Sequence, residues 1–291
     1  MKILVTGANG LVGKELTKKL KSKKHTIIEF NKSNGKNILN EKTLQKEMKS
    51  VEVVIHLAGL LNGNDDEVWQ TNVIGTKNVI NCAIKNKVKK FIFLSSTGVY
   101  GSLNQMITET TSKKPENIYE KSKAEAENII LNYQEEINVN ILRSAMILGP
   151  NKYWENMFKL LKKNFPLPCS GKNSFQIIYV KDLVNAIILL LEKGKSGEVY
   201  LISGKEKWTL KKFCEIAKSQ INKNKNNKIY SIPASIAIFF GKILNIKILN
   251  ENNIRHICKE RNYSIKKIEK LGFKQKYNLK DAIKKTIKEL G

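Results

Sequence analysis

Through the first two-thirds of the chain, apolar runs of about five residues alternate with longer segments in which apolar side chains return every three or four positions. The runs predict strands at Lys2–Thr6, Thr26–Phe30, Val53–Leu57, Phe91–Ser95, Val139–Ser144 and Val199–Ile202. The periodic segments predict helices at Leu11–Ser22, Thr71–Asn86, Tyr119–Tyr133 and Val180–Leu191. The runs are nearly all Val, Ile, Leu and Phe, as expected of strands covered on both faces. Their alternation with helices predicts an α/β chain built on a doubly wound parallel sheet.

From about Asn151 the elements lose this regularity. We read residues 1–165 as the sheet domain, with 176–204 returning to it, and 166–291 as a smaller C-terminal α/β domain. The Lys- and Asn-rich patch Asn222–Lys228 reads as a solvated loop. The run Ile232–Leu249 is apolar but carries Lys242 and Lys247, too short and too charged to span a membrane. It reads as a helix covering the second domain, or else as an amphipathic segment that touches a membrane or a lipid-like substrate.

The 291 residues are 41% hydrophobic and 27% charged, ordinary for a globular chain, but the net charge is +26. Such a charge fits a polyanionic partner, nucleic acid or an anionic membrane. Of the 52 basic residues, however, only Arg143, Arg255 and Arg261 are arginine, and the lysines are scattered along most helices. Phosphate-gripping surfaces favour arginine, so the excess is read as the Lys, Asn and Ile bias of AT-rich coding, without a nucleic-acid role. Cys82, Cys169, Cys214 and Cys258 form no paired motif, and His25, His56 and His256 are equally dispersed. No metal site is expected. The opening MKILVTG is already strand and turn, so a reduced, cytoplasmic protein with no integral membrane segment is the expectation.

Chemistry enters at three places. In TGANGLVG, directly after the first strand, Gly7 and Gly10 permit a tight turn and close approach to a pyrophosphate resting on the next helix's N-terminus, while Gly13 lets helix and strand pack closely. Ser96 ends the apolar run FIFLSSTGVYG. Tyr119 and Lys123 lie four apart in a helix, so phenol and ammonium share one face, roughly 5–6 Å apart at Cβ. An ordinary tyrosine has a pKa of about 10, and a fixed positive charge beside it is expected to pull that down.

With TGANGLVG, VIHLAG, TNVIGTKNV, FLSSTGVYG, YEKSK, LRSAMILGP, YVKDLVNAI and IKKIEKLGF, the chain resembles the extended short-chain dehydrogenase/reductase family nearly end to end. The branch is that of NAD-dependent epimerases and dehydratases, similar to nucleotide-sugar 4-epimerases. The resemblance implies a Rossmann-type fold and NAD as cofactor. It implies cofactor contacts at Gly7, Asn9, Gly10, Leu11, Val12 and Gly13, then Asn31, Lys32, Asn37 and Ile38, then Leu57, Ala58, Gly59 and Asn72. Tyr119 would be the base, Lys123 its activator and ribose ligand, and Ser96 the partner of the reacting hydroxyl. Ser96, Thr97, Lys172, Phe175 and Arg255 would meet the substrate. Asp182 would fix the connection to the second domain.

Departures from the family pattern narrow the expectation. The acidic residue that usually meets the adenosine ribose is replaced by Asn31, followed by Lys32, which leaves room for NADP; Glu29 is an alternative two residues early. Asn37 stands where an acidic residue often meets adenine. Dehydratases place Asp-Glu after the catalytic hydroxyl residue, and here Thr97 and Gly98 stand there, against dehydration. The position of a diphosphate-gripping arginine is Phe175, which Arg255, Arg261 or Lys172 would have to replace. The leading expectation is an epimerase of a nucleotide-linked sugar acting through a transient keto intermediate. Its alternatives are a reductase or dehydrogenase of a keto sugar or other hydroxy/keto compound, and a non-catalytic NAD(P)-sensing protein. A homodimer through the helices at Thr71–Asn86 and Tyr119–Tyr133 is expected from the same resemblance.

Overall fold

The computed structural model describes residues 1–103, 105–221, 228–244, 246, 249–260 and 262–291, with the side chains of Phe175, Asn252, Arg255 and His256 outside that description. The first half runs β1 (Lys2–Thr6), α1 (Leu11–Ser22), β2 (Thr26–Phe30), α2 (Glu41–Glu47), β3 (Val53–His56), α3 (Asp65–Trp69), α4 (Gly75–Lys85), β4 (Lys90–Ser96), α5 (Ile118–Leu131) and β5 (Asn138–Ser144). There follow β6 (Met146–Leu148), α6 (Lys152–Lys162), β7 (Leu167–Pro168), β8 (Ser174–Phe175), β9 (Ile177–Tyr179), α7 (Val180–Lys193) and β10 (Glu198–Ile202). The chain closes with β11 (Trp208–Thr209), α8 (Leu210–Ile221), β12 (Ser231–Ile232), α9 (Ala234–Ile243), α10 (Glu251–Ile257), α11 (Lys266–Leu271) and α12 (Leu279–Leu290).

Six strands form one parallel sheet in the order β10–β5–β4–β3–β1–β2. Alternate residues of each strand serve opposite faces. Ile3, Val5, Val53, Ile55 and Ile92 join α1 and α7, whereas Leu4, Val54, Phe91, Phe93 and Ile141 join α2, α4 and α5. This is the doubly wound architecture the apolar runs predict, and the strand ends differ from the predicted ones by at most one residue. The order of the strands turns back between β1 and β3, where open α/β sheets present their ligand crevice.

Six of the described helices start on an asparagine whose side chain accepts a first-turn N–H: Asn40, Asn64, Asn117, Asn151, Asn250 and Asn278. The asparagine-rich composition therefore does structural work at helix starts. The segment predicted as one helix over Thr71–Asn86 is broken by a π-turn at Gln70–Ile74, a distortion that often marks functional positions.

Beyond the sheet, β6 pairs with β9, β7 with β12 and β8 with β11. Asp182 on α7 is fully buried and accepts the N–H groups of Lys276 and Tyr277, tying α7 to the chain entering α12. The cysteines correct the sequence reading. Cys169, just after β7, and Cys258, at the end of α10, are joined in a disulfide with Cα atoms 6.2 Å apart. Their separation of 89 residues hides a proximity that only the packing of α10 creates. Cys82 and Cys214 are free and buried. Of the segment Asn222–Lys228, residues 222–227 lie outside the described residues. Among the described residues no helix is long and apolar enough to cross a membrane.

Candidate functional site

At the carboxyl edge of β1, Gly7 adopts φ +68° and donates its N–H to Phe30 O. A Cβ there would lie 2.8 Å from Ala58 N, and one at Gly13 would lie 2.3 Å from Gly7 O. Both glycines are required by backbone crowding. Gly10 is different: it is exposed and is the N-cap of α1. Unlike the Asn-capped helices, α1 has no side-chain cap and no acidic residue in its first turn. Its leading N–H groups and its positive end form a cradle shaped for a diphosphate. Leu11 is half-buried and Val12 is buried in the core beneath the cradle.

Next to it, Asn9 donates to Asn31 Oδ1 at 3.0 Å and also to Ser33 Oγ. Lys32 is exposed, and Glu29 pairs with Lys21 at 2.7 Å. The adenosine end of the crevice is thus neutral to positive. Asn37 Oδ1 accepts Leu39 N–H, and Ile38 is buried against α4 with its carbonyl accepting from Asn78.

The end of β3 is held by a buried polar chain. Thr6 Oγ1 accepts the N–H groups of Leu57 and Ala58 and lies 2.6 Å from His56 Nδ1; His56 Nε2 lies 2.9 Å from Thr76 Oγ1. Burial and the Lys123 charge push His56 down to about 3, so the ring is a neutral strut. Asn72 does more than anchor a helix to a strand. Its Oδ1 accepts Leu60 N–H, and its Nδ2 donates to Leu60 O and to Ser122 Oγ, which clamps the β3 loop to α5. The exposed Gly59 sits over this clamp, its Cβ position 3.8 Å from Lys123 Nζ.

Ser96, Tyr119 and Lys123 meet where β4 ends against α5. Ser96 Oγ accepts Gly98 N–H at 3.0 Å and lies near enough to the half-buried Tyr119 to favour its ionised form. Lys123 Nζ donates to Leu94 O at 2.7 Å and rides over the Phe93 ring at 4.1 Å. The electrostatics differ from the sequence expectation. Burial raises the Tyr119 pKa, with Ser96 opposing, and burial lowers Lys123 to about 7. Desolvation, and not the expected pull of the ammonium, sets the direction of the phenol's shift.

A second constellation escaped the sequence reading. Glu127, one turn beyond Lys123 and fully buried, receives Arg143 Nη2 at 2.7 Å and Nε at 2.9 Å, with Ser95 Oγ at 2.6 Å. Arg143 Nη1 goes on to Tyr100 Oη at 2.6 Å. This fork fixes α5 against β4 and β5. Its signal was present: Arg143 is one of three arginines in a chain that otherwise uses lysine, and bidentate geometry is what lysine cannot supply.

Around the triad, Thr97 is buried and Gly98 lies against Glu120, whose Oε2 accepts Glu116 N–H and whose buried Oε1 has no hydrogen-bond partner. Lys172 is exposed, on the loop before β8. Phe175 takes its place in β8, paired with Trp208, and Arg255 lies on α10; their side chains, and all of Arg261, are outside the described residues.

Residues 3–203 match the model of the NAD dependent epimerase/dehydratase family. A dTDP-D-glucose 4,6-dehydratase of Dictyostelium discoideum is 30% identical over 250 residues, which is 69% of this chain and 58% of that protein. The chain thus spans little more than half of that relative's length. An N-acetyl-alpha-D-glucosaminyl-diphospho-ditrans,octacis-undecaprenol 4-epimerase of Escherichia coli O157:H7 is 25% identical, covering 98% of this chain and 94% of that one. The crystal structure of a Thermotoga maritima UDP-glucose 4-epimerase with UDP-glucose superposes with a TM-score of 0.82 at 22% identity, covering 99% of this chain and 98% of that chain. At that identity the superposition establishes the extended doubly wound fold.

Proposed function

The chain belongs to the NAD dependent epimerase/dehydratase family, and from that premise we propose that it epimerises a nucleotide-linked sugar at a secondary hydroxyl. The observation that carries this reading is the meeting of Ser96, Tyr119 and Lys123 where β4 ends against α5, at the same sheet edge as the uncapped start of α1. Gly7, Gly10 and Gly13 with the first turn of α1 would hold the cofactor diphosphate, Asn31 and Lys32 the adenosine ribose, and Lys123 the second ribose. When bound, the nicotinamide dinucleotide supplies the acceptor and donor of hydride.

The chain's own residues manage the proton. Ser96 Oγ orients the sugar hydroxyl and stabilises negative charge on its oxygen. Tyr119 Oη takes that proton, leaving a transient keto sugar, and returns it after the sugar has turned its other face. Burial raises the Tyr119 pKa, and a charged Lys123 ammonium beside it favours the phenolate that acts as base. Thr97 and Gly98 bring no carboxylate after Ser96, which supports epimerisation over dehydration even though the Dictyostelium relative is a dehydratase.

A second reading rests on the adenosine end. Asn31, Ser33 and the exposed Lys32 suit a 2′-phosphate, and an NADP-dependent reductase of a keto sugar would use the same Tyr119, Lys123 and Ser96. We further assign residues 166–291, apart from the returning 176–204, to substrate binding, and take the working unit to be a cytoplasmic homodimer.

The test follows nicotinamide absorbance while UDP- and dTDP-sugars are added and the products are separated. Interconversion of two 4-epimers with no net cofactor consumption is expected, and Tyr119→Phe should slow it by about 10²–10⁴-fold. Steady consumption of NADPH with a keto compound would replace the epimerase with the reductase.

A further inference from the structure

Helix α9 is built inside out. Its small residues Ala234, Ala237 and Gly241 face the protein, with Ala237 fully buried and Gly241 so close that a Cβ would lie 2.6 Å from Leu249. Apart from Ile238, which packs inward, its large residues face away: Ile236, Phe239, Phe240, Ile243 and Leu244, at spacings of i, i+3, i+4, i+7 and i+8, are 41–61% exposed. Those five positions form one stripe along a 3.6-residue helix. Tyr230, 66% exposed, lies just ahead of the helix. A globular helix ordinarily turns such a stripe inward, and a contiguous exposed patch of this kind marks a contact surface.

The surroundings identify the partner. Lys242 is exposed on α9 itself, and Lys162 and Lys163 are exposed at the end of α6, whose neighbours Leu160 and Phe165 pack against the inner side of α9. The whole chain carries +26. A stripe of exposed Ile, Leu and Phe does not suit nucleic acid, which asks for polar and stacking groups. A second copy would set like charges against each other. An anionic bilayer matches both parts, because apolar side chains enter the acyl boundary while lysines meet the headgroups.

We propose that α9 docks this protein on an anionic lipid bilayer, lying in the plane of the surface. The inference stands on the second domain's surface and is independent of the reaction assigned above.

Flotation of the intact protein with vesicles tests this. Co-flotation with phosphatidylcholine–phosphatidylglycerol vesicles is expected, weakened by high salt and weak with phosphatidylcholine alone. The variant Phe239→Ser/Ile243→Ser, altered only at exposed positions, should bind about tenfold less while keeping the wild-type circular dichroism and cofactor binding. Failure of the wild-type protein to float, or equal flotation of the variant, would overturn the proposal. So would a loss of self-association in the variant without any vesicle binding, which would make the stripe a contact between copies. Because the readout is flotation, a wrong substrate assignment leaves it untouched.

Discussion

The Lys123 amine is buried at the carboxyl edge of the sheet, donates to Leu94 O, and has a pKa lowered to about 7 by desolvation, with Glu127 opposing. Glu127 helps little because its carboxylate is already engaged by Arg143 and Ser95. A lysine that binds its proton less tightly when folded makes stability depend on pH. Between about pH 7 and the ordinary lysine value of about 10.5, the unfolded chain holds a proton that the folded chain has released, so stability rises with pH. Below pH 7 both states are charged and the full cost of burying the ammonium is present. The slope is about 1.4 kcal/mol per pH unit for one proton. Urea unfolding should therefore show the wild-type protein gaining about 2 kcal/mol on Lys123→Met between about pH 7 and 9. A difference that does not change with pH would mean that Lys123 titrates normally. At this scale the sequence was legible where function is local: TGANGLVG and YEKSK each place their groups within one turn. The direction of the Tyr119 shift was not legible, because spacing reports proximity but not how dry the pocket is.

Elements were legible for a different reason. Parallel strands buried on both faces are apolar throughout, so the six strand runs stand out, whereas the order of the strands is set by their pairing. What the pattern could not supply was contact between elements far apart in sequence. The Arg143–Glu127 fork depends on β5 lying beside α5, and the Cys169–Cys258 bond depends on α10 folding back over the end of β7. That bond closes a loop with a sequence separation of 89 and should stabilise the second domain chiefly by restricting its unfolded chain, by about 2–4 kcal/mol. Thiol titration of the denatured, unreduced protein is expected to find two groups, Cys82 and Cys214, and dithiothreitol should lower the unfolding midpoint of the wild-type protein but not of Cys258→Ser. Four thiols, or a midpoint indifferent to reductant, would show that the bond does not form. Because cytoplasmic reductants oppose such a bond, the thiol count also bears on the compartment proposed above.

For the molecule as a whole, the +26 charge acts on every encounter, including an encounter with another copy. The proposed homodimer would join α4 and α5 to their counterparts. The turn after α5 meets α4 through Tyr133 Oη, which donates to Asn81 Oδ1 at 2.9 Å, and the two helices carry the exposed Lys77, Lys85 and Lys121. Packing those helices together sets lysine against lysine, at distances where salt screens strongly, since the Debye length falls from about 30 Å at 0.01 M to about 8 Å at 0.15 M. Association should therefore strengthen as salt is added, opposite to the vesicle contact of α9, which salt weakens. Light scattering on the size-exclusion peak should move from the 33.2 kDa of one chain toward twice that value between low and high salt. A monomer at every salt concentration would remove the homodimer. A dimer that falls apart in salt would instead place complementary charges at its interface, moving it away from the lysine-lined α4–α5 face.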